Sequence, residues 1–211
     1  MKQPFSENNF IGKTSSLPPS SPNSDNASGQ ITTNNNHRQD SYFASKNFIN
    51  SENLANSPIK ISKRYLPHWE LNGSIYFITF KTWKRLELTP EARKVVLDAC
   101  LYFHNKRYKI YTIVVMPDHV HFLLEPSLKS ENEYWSLSSI LHSIKSYSAK
   151  QIPKVMKHTG IVWQDESYDR IVRDDQEFTQ FWSYIRENPV KANLSNSPEE
   201  YAFFWEIDCE S

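Results

Sequence analysis

The sequence predicts an α+β domain: a ferredoxin-like or RRM-like antiparallel sheet with helices on one face, preceded by a disordered N-terminal tail. Three observations lead there. Apolar and β-branched residues are sparse up to Ser57 and collect after Ile61. Beyond that point, strand-like and helix-like segments alternate in the order strand, helix, strand, strand, helix. Finally, the two adjacent strands are joined by a Pro-Asp turn short enough for antiparallel pairing.

Residues 1–57 are dominated by Ser, Asn, Pro and Thr, as in the run SSLPPSSPNSDNASGQ. Such a composition cannot bury enough apolar surface to offset the entropy of ordering the chain, so this stretch is expected to be a disordered tail. It has no apolar core of a secretory signal, and no later run reaches membrane-spanning length; no membrane partner and a cytoplasmic location are expected. The folded part is assigned to residues 61–195, within an ordinary single-domain size of about 150 residues. Glu199, Glu200, Glu206, Asp208 and Glu210 then mark residues 196–211 as an acidic C-terminal tail.

Within the domain, Ser74 to Thr82 follows Gly73 and is rich in aromatic and β-branched residues, which reads as a strand. Thr89 and Pro90 are an N-cap and first-turn pair that opens a helix with Ala92, Val95, Val96, Ala99, Tyr102 and Phe103 on its apolar stripe. Tyr108 to Met116 is a second strand. Pro117 and Asp118 break it, and His119 to Glu125 is a third. A second helix is expected from about Trp135 to Ile152, with Leu137, Ile140, Leu141, Ile144 and Tyr147 on one face. After Trp163 the chain is extended to Arg173, and a third helix runs from Asp174 to Asn188, stopped by Pro189. Asp174 with Glu177 gives this helix a start resembling a capping box. The expected layering leaves one sheet face open for a ligand.

The 211-residue chain has a formal net charge of zero, which counts against a strongly basic nucleic-acid binder. Its cations are nonetheless spread through the domain, while its acid is concentrated near the end. Cys100 and Cys209 lie far apart and form no CxxC pair, so neither structural zinc nor a disulfide framework is expected. The four glycines are scattered, which excludes a P-loop or a Rossmann phosphate loop and with them a nucleotide cofactor.

The segment MPDHVHFLL, Met116 to Leu124, carries the sharpest chemical signal. Strand alternation puts His119 and His121 on one face and Val120 and Phe122 on the other. Two imidazoles about 7 Å apart along a strand can lean onto one metal ion. A pair of ordinary strand histidines fits the same spacing. The last helix carries the second signal: Phe178, Phe181, Trp182 and Ile185 form its buried stripe, and Tyr184 and Asn188 fall one turn apart on its flank. A wet-edged core tyrosine and a helix-terminating asparagine fit there equally well. Lys145 on the second helix, Arg170 and Arg173 in the extended segment, and Lys191 at the end of the third helix are candidate DNA contacts.

Taken in order, MPDHVH, then Ile144-Lys145, then Val162 to Arg173 (VWQ…YDRIVR), then Tyr184 to Leu194 (YIxxNPVKAxL) resemble the REP-associated tyrosine transposases. These fall within the HUH single-tyrosine transposases of bacterial insertion sequences. The resemblance covers about Arg64 to Leu194; the Asn/Ser-rich start and the acidic end depart from the family pattern. It implies that His119 and His121 are the metal-binding pair, with Val120 the hydrophobic residue between them. It implies further that Tyr184 is the nucleophile and Asn188 the third metal ligand. The implied partner is single-stranded, hairpin-forming DNA, in a bacterial protein that is nucleoid-associated when DNA-bound. Monomer and homodimer both fit.

The implied reaction is strand cleavage and rejoining. A phenol is a weak nucleophile at neutral pH, and Mg²⁺ or Mn²⁺ suits imidazole and oxygen ligands and would offset charge on the scissile phosphate. Attack by Tyr184 would give a 5′-phosphotyrosine link and a free 3′-hydroxyl, with no need for ATP. Two other readings stand beside it: an RRM-like module that binds single strands without cutting and needs neither metal nor Tyr184, and a metal-dependent phosphodiesterase that activates water.

Overall fold

The computed structural model describes residues 60–63 and 67–207. The expected tail at residues 1–57 lies outside them. A central antiparallel sheet of five strands has the order β8-β3-β5-β4-β9. Its strands are β3 (Tyr76–Thr82), β4 (Tyr108–Val115), β5 (His119–Pro126), β8 (Trp163–Ile171) and β9 (Phe204–Glu206). Two small hairpins accompany it, β1 (Lys60–Lys63) with β2 (Pro67–Glu70), and β6 (Leu128–Ser130) with β7 (Glu133–Tyr134). The helices are α1 (Pro90–Leu101), α2 (Leu137–Val155) and α3 (Asp175–Lys191). No helix among the described residues is long and apolar enough to cross a membrane.

The α+β antiparallel architecture is the one expected, and strand alternation explains its layering. Tyr76, Ile78 and Phe80 of β3, with Val120, Phe122 and Leu124 of β5, form one continuous core with residues of α1 and α2. Burying each such side chain contributes roughly 1.5–3 kcal/mol. Ile75, Phe77 and Leu123 belong to a second core on the other face, completed by Phe178, Trp182 and Ile185 of α3. The helices therefore occupy both faces. The face expected to lie open is roofed in part by α3, because the stripe of Phe178, Trp182 and Ile185 needs an apolar surface of its own.

The helix ends follow from their sequences. Thr89 caps α1 by accepting from Ala92 N, with Pro90 in the first turn. Ser136 caps α2 in the same way. Asp174 caps α3, its carboxylate accepting from Glu177 N at 2.7 Å. Tyr102 and Tyr147, expected on buried stripes, are exposed. Tyr102 follows the last residue of α1, and Tyr147 faces outward from α2. Pro189 does not stop α3, which continues to Lys191. A proline removes only its own donor, and the next carbonyls are used: Ala192 N donates to Asn188 O at 3.0 Å and Leu194 N to Pro189 O at 2.9 Å.

The segment read as an acidic tail, 196–211, is part of the fold through residue 207. Phe204, Trp205 and Glu206 pair with β4. Tyr201 is buried and its hydroxyl donates to Val115 O at 2.9 Å. Two of its acids are paired within the fold, since Arg186 of α3 is ion-paired with both Glu199 and Glu206. Residues 208–211 lie outside the described residues.

Candidate active site

The site is built on the edge of the β4–β5 hairpin. Met116 N donates to His119 O at 2.8 Å, closing a tight turn around Pro117 and Asp118. Three bonds from the end of β3 and the segment after it pin that turn. Thr82 donates to Asp118 O through its backbone N at 2.9 Å and its hydroxyl at 3.1 Å, and Leu88 N donates to Pro117 O at 2.7 Å. His119 and His121 leave this turn on the same side of the sheet. Their ring centroids are 4.7 Å apart.

Each imidazole is held by its Nδ1. In His119 that atom lies 2.5 Å from Asp118 Oδ1, and an ionised carboxylate accepts only, so Nδ1–H donates. In His121 it lies 2.7 Å from Thr79 Oγ1, inside the sheet. Thr79 is the cross-strand partner of His121 in the β3–β5 ladder, which places the hydroxyl beside the ring without any loop to position it. A ring that donates from Nδ1 keeps its lone pair on Nε2, the form in which imidazole ligates a metal ion. His121 is also buried, and burial, together with the neighbouring His119 and Lys81, pushes its pKa well below the usual imidazole range.

Tyr184 arrives from α3 on the same face. Its hydroxyl is 3.4 Å from His121 Nε2, and the two ring centroids are 5.1 Å apart. Phe77 forms the floor beneath both, stacked on His121 at 5.7 Å and on Phe181 at 4.3 Å, with its edge toward Tyr184 at 5.9 Å. Asn188 stands one turn beyond Tyr184 on α3 and is half-buried. Among the described residues no three His, Cys, Asp or Glu side chains are grouped to hold a metal ion.

The tentative DNA contacts fare differently. Arg170, opposite Phe77 in the β3–β8 ladder, is ion-paired with Glu177. Arg173 also binds Glu177, its guanidinium at 3.1 Å and its backbone N at 2.9 Å. Burial raises the Glu177 pKa, but the bonds from Arg173 and the charge of Arg170 outweigh it, so the carboxyl sits below its ordinary value. Both arginines thus brace the start of α3. Lys145 sits on α2, which covers the opposite face, and its ammonium donates to Asp165 O at 3.0 Å. Lys191 is exposed and pairs with Glu187 one turn earlier at 2.7 Å.

Sequence reasoning passed over Thr79, Asp118 and Phe77 as parts of the site. Alternation already placed Phe77, Thr79 and Lys81 on one face of their strand. What it could not supply was which strand lies beside it, and in which register.

A family model described as "Transposase IS200 like" matches residues 78–188, just over half of the chain. The matched span includes both histidines and Tyr184 and ends at Asn188. A protein of Haemophilus influenzae, whose name provisionally makes it a REP-associated tyrosine transposase, is 25% identical over 134 residues. That match covers 56% of this chain and 72% of the relative. A solved structure of a REP-associated tyrosine transposase bound to a REP hairpin shares the fold, with a TM-score of 0.53 at 19% identity. The superposition covers 71% of this chain and 94% of that one.

Proposed function

The chain belongs to the IS200-like transposase family, and from that premise we propose that it cleaves and rejoins single-stranded, hairpin-forming DNA with Tyr184 as nucleophile. The observation that carries this reading is the approach of the Tyr184 hydroxyl to His121 Nε2 at 3.4 Å, in a pair of imidazoles both held by Nδ1. A tyrosine serving only as a core residue has no need of a neighbour prepared in this way.

The donor set fits a divalent cation. With Nδ1 held by a neighbour in both rings, His119 and His121 would each offer Nε2 to it, and Asn188 would bring an amide oxygen on the helix that carries Tyr184. Nitrogen and oxygen donors without thiolate suit Mg²⁺ or Mn²⁺. When bound, the ion would supply charge that offsets the charge developing on the phosphate. The chain's own residues do the rest. Thr79 and Asp118 fix the two rings; Phe77 and Phe181 fix the depth of α3; and α3 sets the distance between Tyr184 and Asn188 as a rigid unit.

In the step itself the Tyr184 phenolic oxygen forms a bond to phosphorus as the bond to the 3′-oxygen breaks. The phenol gives up one proton and the released 3′-hydroxyl gains one, so no net proton or electron is consumed. The reverse step rejoins a 3′-hydroxyl to the 5′-phosphotyrosine, and needs no nucleotide.

Incubating the protein with end-labelled hairpin DNA, with Mn²⁺ or with chelator, and resolving the products on a denaturing gel tests this reading. A metal-dependent covalent adduct is expected. Cleavage without an adduct would make the protein a water-activating phosphodiesterase, and a native-gel shift without cleavage would make it a binding module.

A further inference from the structure

Lys81 occupies a position that the site as described does not use. It is the last residue but one of β3 and the direct cross-strand partner of His119, as Thr79 is of His121. Directly opposed residues of an antiparallel pair project to the same side of the sheet. The ammonium therefore rises on the face that carries both imidazoles and Tyr184, and its charge is felt at His121. Unlike Arg170, Arg173 and Lys191, which are spent on Glu177 and Glu187, Lys81 is exposed and forms no ion pair with another described residue. The nearest carboxylate in sequence across the ladder, Asp118, is committed to His119 Nδ1.

The chain then turns sharply after Thr82. Trp83, Lys84 and Arg85 are all exposed, and Lys84 and Arg85 take the left-handed φ values of 49° and 56°. Non-glycine residues seldom hold that conformation. The bonds from Thr82 and Leu88 to the Asp118 turn keep this basic corner against the histidine hairpin. A cation on the face of the two imidazoles, followed by Lys84 and Arg85 along one rim, suits a phosphate.

We propose that Lys81 is a phosphate-binding residue of the site, seating the backbone of a bound single strand beside His119. The proposal rests on the reading that this sheet face takes single-stranded DNA, and it adds the residue that fixes where the strand lies relative to the imidazoles. It also explains how a chain with no net charge holds a polyanion: attraction is local to this corner rather than spread over the surface.

The test is binding of fluorescein-labelled dT12 to the full chain, by anisotropy over a KCl series in EDTA, where no cleavage occurs. Each phosphate contact in a single strand steepens the salt slope by about 0.7. Lys81→Gln should weaken binding several-fold and reduce the slope by about that amount, whereas Lys81→Arg should restore both. Lys94→Gln, on the exposed side of α1 and paired with Asp98, should change neither. On a hairpin whose stem fixes the register of a single-stranded extension, methylphosphonates introduced one at a time should then cost the wild type more than Lys81→Gln at one position. An unchanged slope in Lys81→Gln, or equal losses at every methylphosphonate position, overturns the proposal. Should the slope change while no protein–DNA adduct ever forms, Lys81 remains a strand contact and the cleavage reading fails by itself.

Discussion

The Tyr184 hydroxyl meets His121 at Nε2, the nitrogen opposite the one that Thr79 holds. The ring thus links the nucleophile candidate on α3 to a hydroxyl buried in β3, although the three residues come from separate parts of the chain. Whatever orients His121 also orients the surroundings of Tyr184.

Thr79 is therefore expected to matter beyond its own packing. Thr79→Val keeps the shape of the side chain and removes the hydroxyl, which leaves His121 Nδ1 buried without a partner. Loss of such a supporting bond typically costs 10–100-fold in metal affinity. Mn²⁺ affinity measured by electron paramagnetic resonance should fall by about that factor, and Thr79→Ser should recover most of it. Equal affinities in Thr79→Val and wild type would show that the ring needs no help from β3.

Glu177 should govern acid stability. Its folded-state pKa is lowered, since the bonds from Arg173 and the charge of Arg170 overcome burial. A depressed carboxylate contributes stability that is complete above its unfolded value, near 4.5, and is lost as pH falls through the lower folded value. Glu177→Gln should thus unfold more easily at pH 7 by about 1–3 kcal/mol. The gap from wild type should close on acidification below the unfolded value. Urea unfolding at a series of pH values measures it; a gap that stays constant down to low pH would point to packing instead of charge.

Arg186 ties α3 to the C-terminal segment through Glu199 and Glu206, and Trp182 adds an indole bond to Glu206 at 3.2 Å. Arg186→Met keeps most of the apolar stem but strands Glu206 beside α3 without its cation. Hydrogen exchange at the β4–β9 ladder should accelerate, while the β3–β5 ladder keeps its protection. Uniform acceleration across the sheet would mean that β9 and the histidine strands open together.

The pattern of what could be read from the chain follows physical lines. The His119/His121 face and the Tyr184/Asn188 flank were legible because each lies within one element, where the period alone decides which side chains are neighbours. Thr79 and Lys81 were not legible as site residues, because their place depends on pairing between strands some 40 residues apart in sequence. The C-terminal segment is not legible from its charge, which suggests a solvated tail, because its aromatic run, Tyr201 to Trp205, leads into a strand paired with β4. Of its acids, Glu199 and Glu206 are matched by Arg186, 13 and 20 residues earlier. The position of α3 on the second face was missed because periodicity shows that a stripe must be buried, and not on which side of the sheet.

The most direct test of the central claim is the identity of the tyrosine that joins DNA. Tyr168 is the rival: it is the cross-strand partner of Thr79 on β8 and stands on the same sheet face, edge-on to Phe77 at 6.3 Å. Tyr184 is the residue whose hydroxyl reaches His121. After reaction with hairpin DNA and Mn²⁺ and digestion of the adduct, mass spectrometry should find the phosphotyrosine on the peptide that contains Tyr184. Tyr184→Phe should bind the hairpin and form no adduct, while Tyr168→Phe should at most slow the reaction. A phosphotyrosine on Tyr168, or an undiminished adduct from Tyr184→Phe, would contradict the account.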